Sequence, residues 1–142
     1  MSLHAFNCGC NAIGYQKNNK NYIMCCAWAQ MIDYDKISML LGSQSVTGKN
    51  LEIGDIVGVS ALSAGQMDIA NKLGEGHSDV VDKLNGVSYE LKDSAILIND
   101  AKTKLYCKVI DILHLPYIKE DNFVILEVLS SEVNDKDFLQ CK

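Results

Sequence analysis

Only one stretch of this chain carries a convincing helix signature, and most of the remainder is cut by polar turns into segments of strand length. Ser63 reads as an N-cap, Gln66 three residues later completes a capping box, and Met67, Ile69, Ala70 and Leu73 line one face up to Gly74. Around that helix the pattern is β. A mixed apolar stretch over 8–16, the polar cluster 17–21 and an apolar run over 22–31 predict a hairpin, because asparagine tolerates the positive backbone angles of a tight turn. Asp33-Tyr34-Asp35 marks the next turn, and residues 37–41 form a third strand ended by Gly42-Ser43-Gln44-Ser45. Residues 46–53 predict a short helix, closed by Gly54-Asp55 before a fourth strand over 56–61. Residues 75–84 read as a polar loop with a turn of helix, and 95–98 as a weak strand. Two long strands follow, over 104–115 and 123–133, separated by a turn over 116–122. The imperfect alternation of Cys107, Val109, Asp111 and Leu113 against Lys108, Ile110 and Ile112 predicts burial on both sides for part of that length. The expected fold is mainly β, a closed or nearly closed antiparallel barrel with helices at its rim.

At 142 residues, 48% of them apolar and 22% charged, the chain is expected to fold as one domain over residues 1–142, with no repeat or linker and without staples. The longest apolar run, over 23–29, is far shorter than the roughly twenty residues of a spanning helix, and the first residues lack a signal-peptide pattern. A cytoplasmic protein without a membrane span is therefore expected. All thirteen basic residues are lysines, with no arginine anywhere, and the net charge is −5. That balance excludes an evident nucleic-acid face, which needs a basic stripe and draws on arginine for bidentate base contacts. Any single phosphate must be met by lysine, hydroxyls and backbone N–H groups.

Six cysteines, at 8, 10, 25, 26, 107 and 141, lack zinc-knuckle spacing and any second cluster of ligating histidines. On a strand the neighbours Cys25 and Cys26 point to opposite faces, as small core fillers. A reactive vicinal pair is the other reading of those two positions.

The order of motifs resembles one family. Asn21 precedes an apolar strand ending at Trp28; then come Gly42-Ser43-Gln44-Ser45-Val46-Thr47-Gly48-Lys49, Ser60-Ala61-Leu62-Ser63 leading into the helix, Gly76-His77-Ser78-Asp79-Val80-Val81-Asp82-Lys83, and the long hairpin. This succession, over about residues 7–134, is similar to the flavin reductase-like, flavoredoxin-type FMN-binding split barrels. The resemblance implies a Greek-key-like antiparallel split barrel that binds FMN at a homodimer interface. It implies that Asn21, Met24, Cys25 and Cys26 approach the ring and ribityl chain with Trp28 close by, and that Ser43, Ser45, Thr47 and Lys49 meet the phosphate. Ser60 joins that cofactor-binding set, and Lys83 falls at the pyrimidine end of the flavin. Cys26 stands where many relatives carry serine or threonine. Taken singly, residues 43–49 are a polar turn capping a helix, Trp28 a core residue and Lys83 a solvated lysine; their joint order is what points to a flavin.

The chemistry implied is an oxidoreductase without a catalytic side chain of its own, in which FMN takes hydride from NAD(P)H and passes electrons to a flavin, iron or protein acceptor. A cation near the N1 and O2 edge favours the anionic reduced flavin. Relatives that use NAD(P)H carry Gly-Asp-His before the last long strand, where this chain has Glu120-Asp121-Asn122. With no arginine to grip a second phosphate, NADH is favoured over NADPH as donor. The alternative is an electron-transfer protein of flavoredoxin type, its FMN reduced by a small redox partner that an acidic surface would help to select. A third reading is a split-barrel module that binds another ligand or none.

Overall fold

The computed structural model describes residues 5–42, 45–74, 83–118 and 121–140. Its strands are β1 (Asn11–Lys17), β2 (Lys20–Cys26), β3 (Ala29–Asp33), β4 (Lys36–Gly42), β5 (Ile56–Ala61), β6 (Tyr89–Lys92), β7 (Ala95–Ile98), β8 (Thr103–Leu113) and β9 (Asp121–Val133). Two helices, α1 (Val46–Lys49) and α2 (Met67–Leu73), complete the described elements. Every strand pairing is antiparallel, in the order β3-β4-β9-β8-β5-β1-β7-β6, with β2 branching from β1. The ladder does not close among the described residues, so the mainly β expectation holds and the barrel is split rather than sealed.

The branch at β1 positions the site. Along one edge β1 pairs with β2 over its whole length, from Asn11↔Cys26 to Lys17↔Lys20. The turn between them is Asn18-Asn19, both with positive φ (53° and 63°), the two-residue type whose twist matches the flanking strands. Along its other edge β1 pairs with β5 only from Asn11 to Gly14, then turns to β7 through Tyr15↔Ala95 and the bond from Gln16 N–H to Ser94 C=O at 2.8 Å.

Strand alternation divides the interior in two. Ile13 and Tyr15 of β1, Tyr22 and Cys26 of β2, and Val57 and Val59 of β5 join Ile37, Met39, Leu41, Cys107, Val109, Val124 and Leu126 in the larger cluster. Ala12, Ile23, Leu62, Leu73, Ile96 and Ile98 form a second one beneath α2, with Leu139 of the C-terminal segment. That segment is stitched in place by Leu139 N–H to Leu62 C=O at 2.9 Å and by bridges Gly9↔Gln140 and Ser63↔Phe138.

Several expectations are corrected. The run over 22–31 is not one strand: β2 stops at Cys26, and β3 starts at Ala29 to pair with β4. The thiol of Cys26 donates to Leu40 C=O and Trp28 C=O (3.2 and 3.4 Å), and Leu40 N–H donates to Trp28 C=O, which fixes the break. α1 ends at Lys49 rather than Ile53, where Lys17 captures the next carbonyl, that of Asn50. The capping box is half formed. Ser63 N–H does donate to Gln66 Oε1 at 3.0 Å, but the Ser63 hydroxyl donates to Asp100 C=O, and α2 starts at Met67 with Gln66 at its N-cap. The weak strand over 95–98 is one arm of a hairpin, its partner β6 being only four residues long and exposed along its whole length. The loop expected over 75–84 lies, except for Lys83 and Leu84, outside the described residues.

Candidate functional site

The residues singled out in the sequence gather around β2, whose only strand partner among the described residues is β1. Successive side chains alternate, so β2 sends Met24 and Cys26 toward the larger cluster and Cys25 toward the second. The three positions expected to approach a flavin together therefore lie on two faces of one strand. Cys26 is buried in the interior, and the Cys25 thiol donates to Ala70 C=O of α2 at 3.8 Å. Neither cysteine forms a disulfide among the described residues, in keeping with their reading as fillers.

On one side of β2 stands the turn into α1. Ser45 is its N-cap: the hydroxyl accepts from Gly48 N–H at 2.9 Å and donates to Gly42 C=O at 2.7 Å, and it lies 3.4 Å from Met24 Sδ. Thr47 is buried, whereas Lys49 is exposed, leaving its ammonium as the positive group at the surface of the turn. Ser43 lies outside the described residues. Two residues of β1 that sequence reasoning passed over hold this turn from the other side. The Tyr15 hydroxyl donates to Thr47 C=O at 2.5 Å, and Lys17 donates to Asn50 C=O at 2.9 Å and to the carboxylates of Glu52 and Asp55. Burial, then the nearby charge of Asp55, raises the Tyr15 pKa and keeps the phenol protonated. Burial alone would lower the Lys17 pKa, but its bonds to Glu52 and Asp55 outweigh that and raise it. Nothing in the local sequence ties Tyr15 to residue 47; that contact belongs to the tertiary fold.

On the other side stands Lys83. It is 6% exposed, not the solvated lysine its sequence context suggests, and Nζ donates to Ile23 C=O at 3.2 Å. Burial lowers its pKa, and the neighbouring Cys25 only partly opposes the shift. The preceding Asp82, with His77, lies outside the described residues. Asn21 sits at the start of β2, its Oδ1 accepting from Gln16 Nε2 at 3.2 Å. Trp28, 65% exposed, follows the end of β2 and presents an aromatic face to solvent rather than to the core.

Ser60 is placed elsewhere. Its hydroxyl is fully buried on β5 and accepts from Ile98 N–H at 2.9 Å, a stitch between β5 and β7. Asn122 lies opposite Leu41 and is 8% exposed. Its Oδ1 finds no hydrogen-bond partner among the described residues. Those residues contain no group of three or more His, Cys, Asp or Glu side chains able to hold a metal. No helix among them is long and apolar enough to cross a membrane.

Residues 10–140 match a family model described as a flavin reductase like domain. Comparison with curated proteins gives no match. Among solved structures, the chain is similar to the NADH:FAD oxidoreductase of Streptomyces globisporus C-1027, with a TM-score of 0.84 at 18% identity, covering 94% of this chain and 80% of that one. Flavoredoxin from Methanosarcina acetivorans gives a TM-score of 0.80 at 16% identity, over 94% of this chain and 73% of that chain. An FMN-binding protein from Thermus thermophilus, with bound 1-cyclohex-2-enone, gives 0.80 at 13%, over 92% and 72%. At these identities the likeness to solved structures is one of fold.

Proposed function

Because the chain belongs to the flavin reductase-like family, we propose that it is an FMN-binding oxidoreductase that moves electrons from reduced nicotinamide to a flavin, iron or protein acceptor. One observation carries the reading. Adjacent residues of β2 meet a hydroxyl-bearing turn on one side of the strand and a buried ammonium on the other, Ser45 against Met24 and Lys83 against Ile23 C=O. A flavin mononucleotide needs that pairing, a cradle for a phosphate and a cation for the pyrimidine edge of the ring.

When bound, FMN supplies the hydride and electron chemistry. The protein supplies binding and electrostatics. Lys49, with the hydroxyls and backbone N–H groups of the turn, including Ser43 and Thr47, holds the phosphate without arginine. Gly48 keeps that turn tight, since a Cβ there would lie 2.6 Å from Gly42 C=O. Among the described residues the Lys83 ammonium donates to Ile23 C=O, and an ammonium offers three donors, so it can also face the N1 and O2 edge. Asn21 and the backbone of β2 around Met24, Cys25 and Cys26 border the ring, and Trp28 flanks it from the exposed end of the strand. Ser60 acts at one remove, by holding β5 to β7. A second copy of the chain covers the open side of the site, where Trp28, Met31 and Ile32 are exposed.

A second reading has one observation in its favour. Asn122 offers no ionisable group where NAD(P)H-using relatives carry histidine, which suits an electron-transfer protein of flavoredoxin type reduced by a partner redox protein. Stopped-flow mixing of the FMN-loaded protein with NADH and with NADPH separates the two. Bleaching of the flavin on a catalytic timescale, faster with NADH, is the outcome expected of the enzyme; a flavin that stays oxidised with both donors points to the partner-reduced protein. Failure to retain FMN at all would overturn both readings.

A further inference from the structure

The end of β1 grips α1 at two backbone carbonyls. Tyr15, 1% exposed and with its ring stacked on Tyr22 at 5.2 Å, donates to the carbonyl of Thr47 within the helix. Two residues on, Lys17 donates to the carbonyl of Asn50 just beyond it. Asp55 accepts from Lys17 at 3.1 Å and from Glu52 N–H at 2.8 Å, which locks the segment after α1 to the same ammonium. α1 has four residues, too few to hold its own shape in water. Its conformation is therefore imposed by β1, the strand that the sheet fixes most completely, with β2, β5 and β7 as partners.

We propose that Tyr15 and Lys17 are positioning residues that preorganise the 45–49 turn and so make the site select a phosphorylated flavin over riboflavin. This rests on the reading above, in which that turn holds the FMN phosphate. Two physical effects act together. A turn already held in its binding geometry spends no ordering entropy when the phosphate arrives. Lys17 also offsets one of the two negative charges of Glu52 and Asp55, carboxylates on the same segment that would otherwise repel a phosphate dianion more strongly. FMN and riboflavin differ only in the phosphate, so the ratio of their affinities reads the turn and cancels the ring.

The test uses the full chain. Dissociation constants for FMN and riboflavin are measured by flavin fluorescence at one ionic strength for the wild type, Tyr15→Phe, Lys17→Met, Lys17→Arg and Lys49→Ala. Tyr15→Phe and Lys17→Met are expected to weaken FMN binding about three- to tenfold, the scale of one lost hydrogen bond, with riboflavin binding unchanged and Lys17→Arg restoring FMN affinity. Riboflavin serves as the folding control. Equal weakening for both ligands, or no weakening for either, overturns the positioning role. The Lys49→Ala arm isolates the underlying reading. If Lys49→Ala lowers the FMN preference while Tyr15→Phe and Lys17→Met leave it intact, the phosphate is at the turn and the positioning role alone falls. If Lys49→Ala leaves the preference untouched, the phosphate is held elsewhere and both fall.

Discussion

Gly48 sits where a side chain has no room, because a Cβ would approach Gly42 C=O to 2.6 Å and Ser45 Oγ to 2.8 Å. Gly48→Ala must push the turn away from Met24, and an unfolding free energy lower by about 1–3 kcal/mol is expected in urea, together with weaker FMN binding. Unchanged affinity in a folded variant would mean the turn is not used. Lys83 gives a pH signature instead. Burial lowers its pKa below the ordinary lysine value of 10.5, so between the lowered value and 10.5 the unfolded chain carries more protons than the folded one. Stability contributed by this group therefore rises with pH across that window. The urea midpoint of the wild type should gain more, or lose less, than that of Lys83→Met between about pH 8 and about pH 10, on the alkaline side where lysine titrates. Parallel pH profiles would show that Lys83 is solvated in solution. At this scale the sequence was informative about identity but not environment: Lys83 and Ser60 were both named, yet one is a buried ammonium bonded to the backbone of β2 and the other a stitch to Ile98.

The element that decides the architecture is the crossing of β7 over the β1–β5 pair. Gly14 and Gly58 face each other across that pair. A Cβ on Gly58 would come to 2.1 Å from Ile96 C=O, and one on Gly14 to 3.0 Å from the Ile96 side chain. β7 can lie this close only because both positions lack side chains, and here β1 changes partner from β5 to β7. Gly58→Ala is expected to cost about 3 kcal/mol or more, at the upper end of overpacking, since the obstructing atom is backbone. A melting temperature within a degree or two of the wild type would refute the crossing. Local pattern marked β1, β2, β4, β5, β8, β9 and α2, because each is an apolar run bounded by turn residues, an alternating strand or a capped apolar face. It missed β6, which is exposed, and fused β2 with β3, because the break between them is set by Cys26 and Trp28 contacts with Leu40 in a distant strand.

For the molecule as a whole, ligand binding, assembly and stability are expected to be linked. A ligand that binds only the folded chain stabilises it by about 2.7 kcal/mol at a hundred times its dissociation constant. FMN should therefore raise the melting temperature by several degrees, riboflavin by less, and AMP not at all. If the exposed Trp28, Met31 and Ile32 are covered by a second copy, light scattering should give a dimer mass that FMN makes more resistant to dilution. A monomer that binds one FMN with undiminished affinity would remove the second copy from the site. The net charge of −5 carried without arginine acts at this scale as well, leaving recognition of a phosphate to lysines, hydroxyls and backbone groups rather than to a basic surface.

The sequence by itself determined the mainly β class, the Asn18-Asn19 hairpin, the apolar faces that fill the core, and the residue types available to meet an anion. Periodicity and turn chemistry are local properties, legible along a few residues at a time. Only the tertiary structure decided that the sheet stays open, that β1 forks between β5 and β7, that Met24, Cys25 and Cys26 divide between two cores, and that Tyr15 and Lys17 hold the turn after β4. Each of those depends on which distant strand approaches and how closely, and the deciding atoms are backbone carbonyls, which carry no sequence signal of their own.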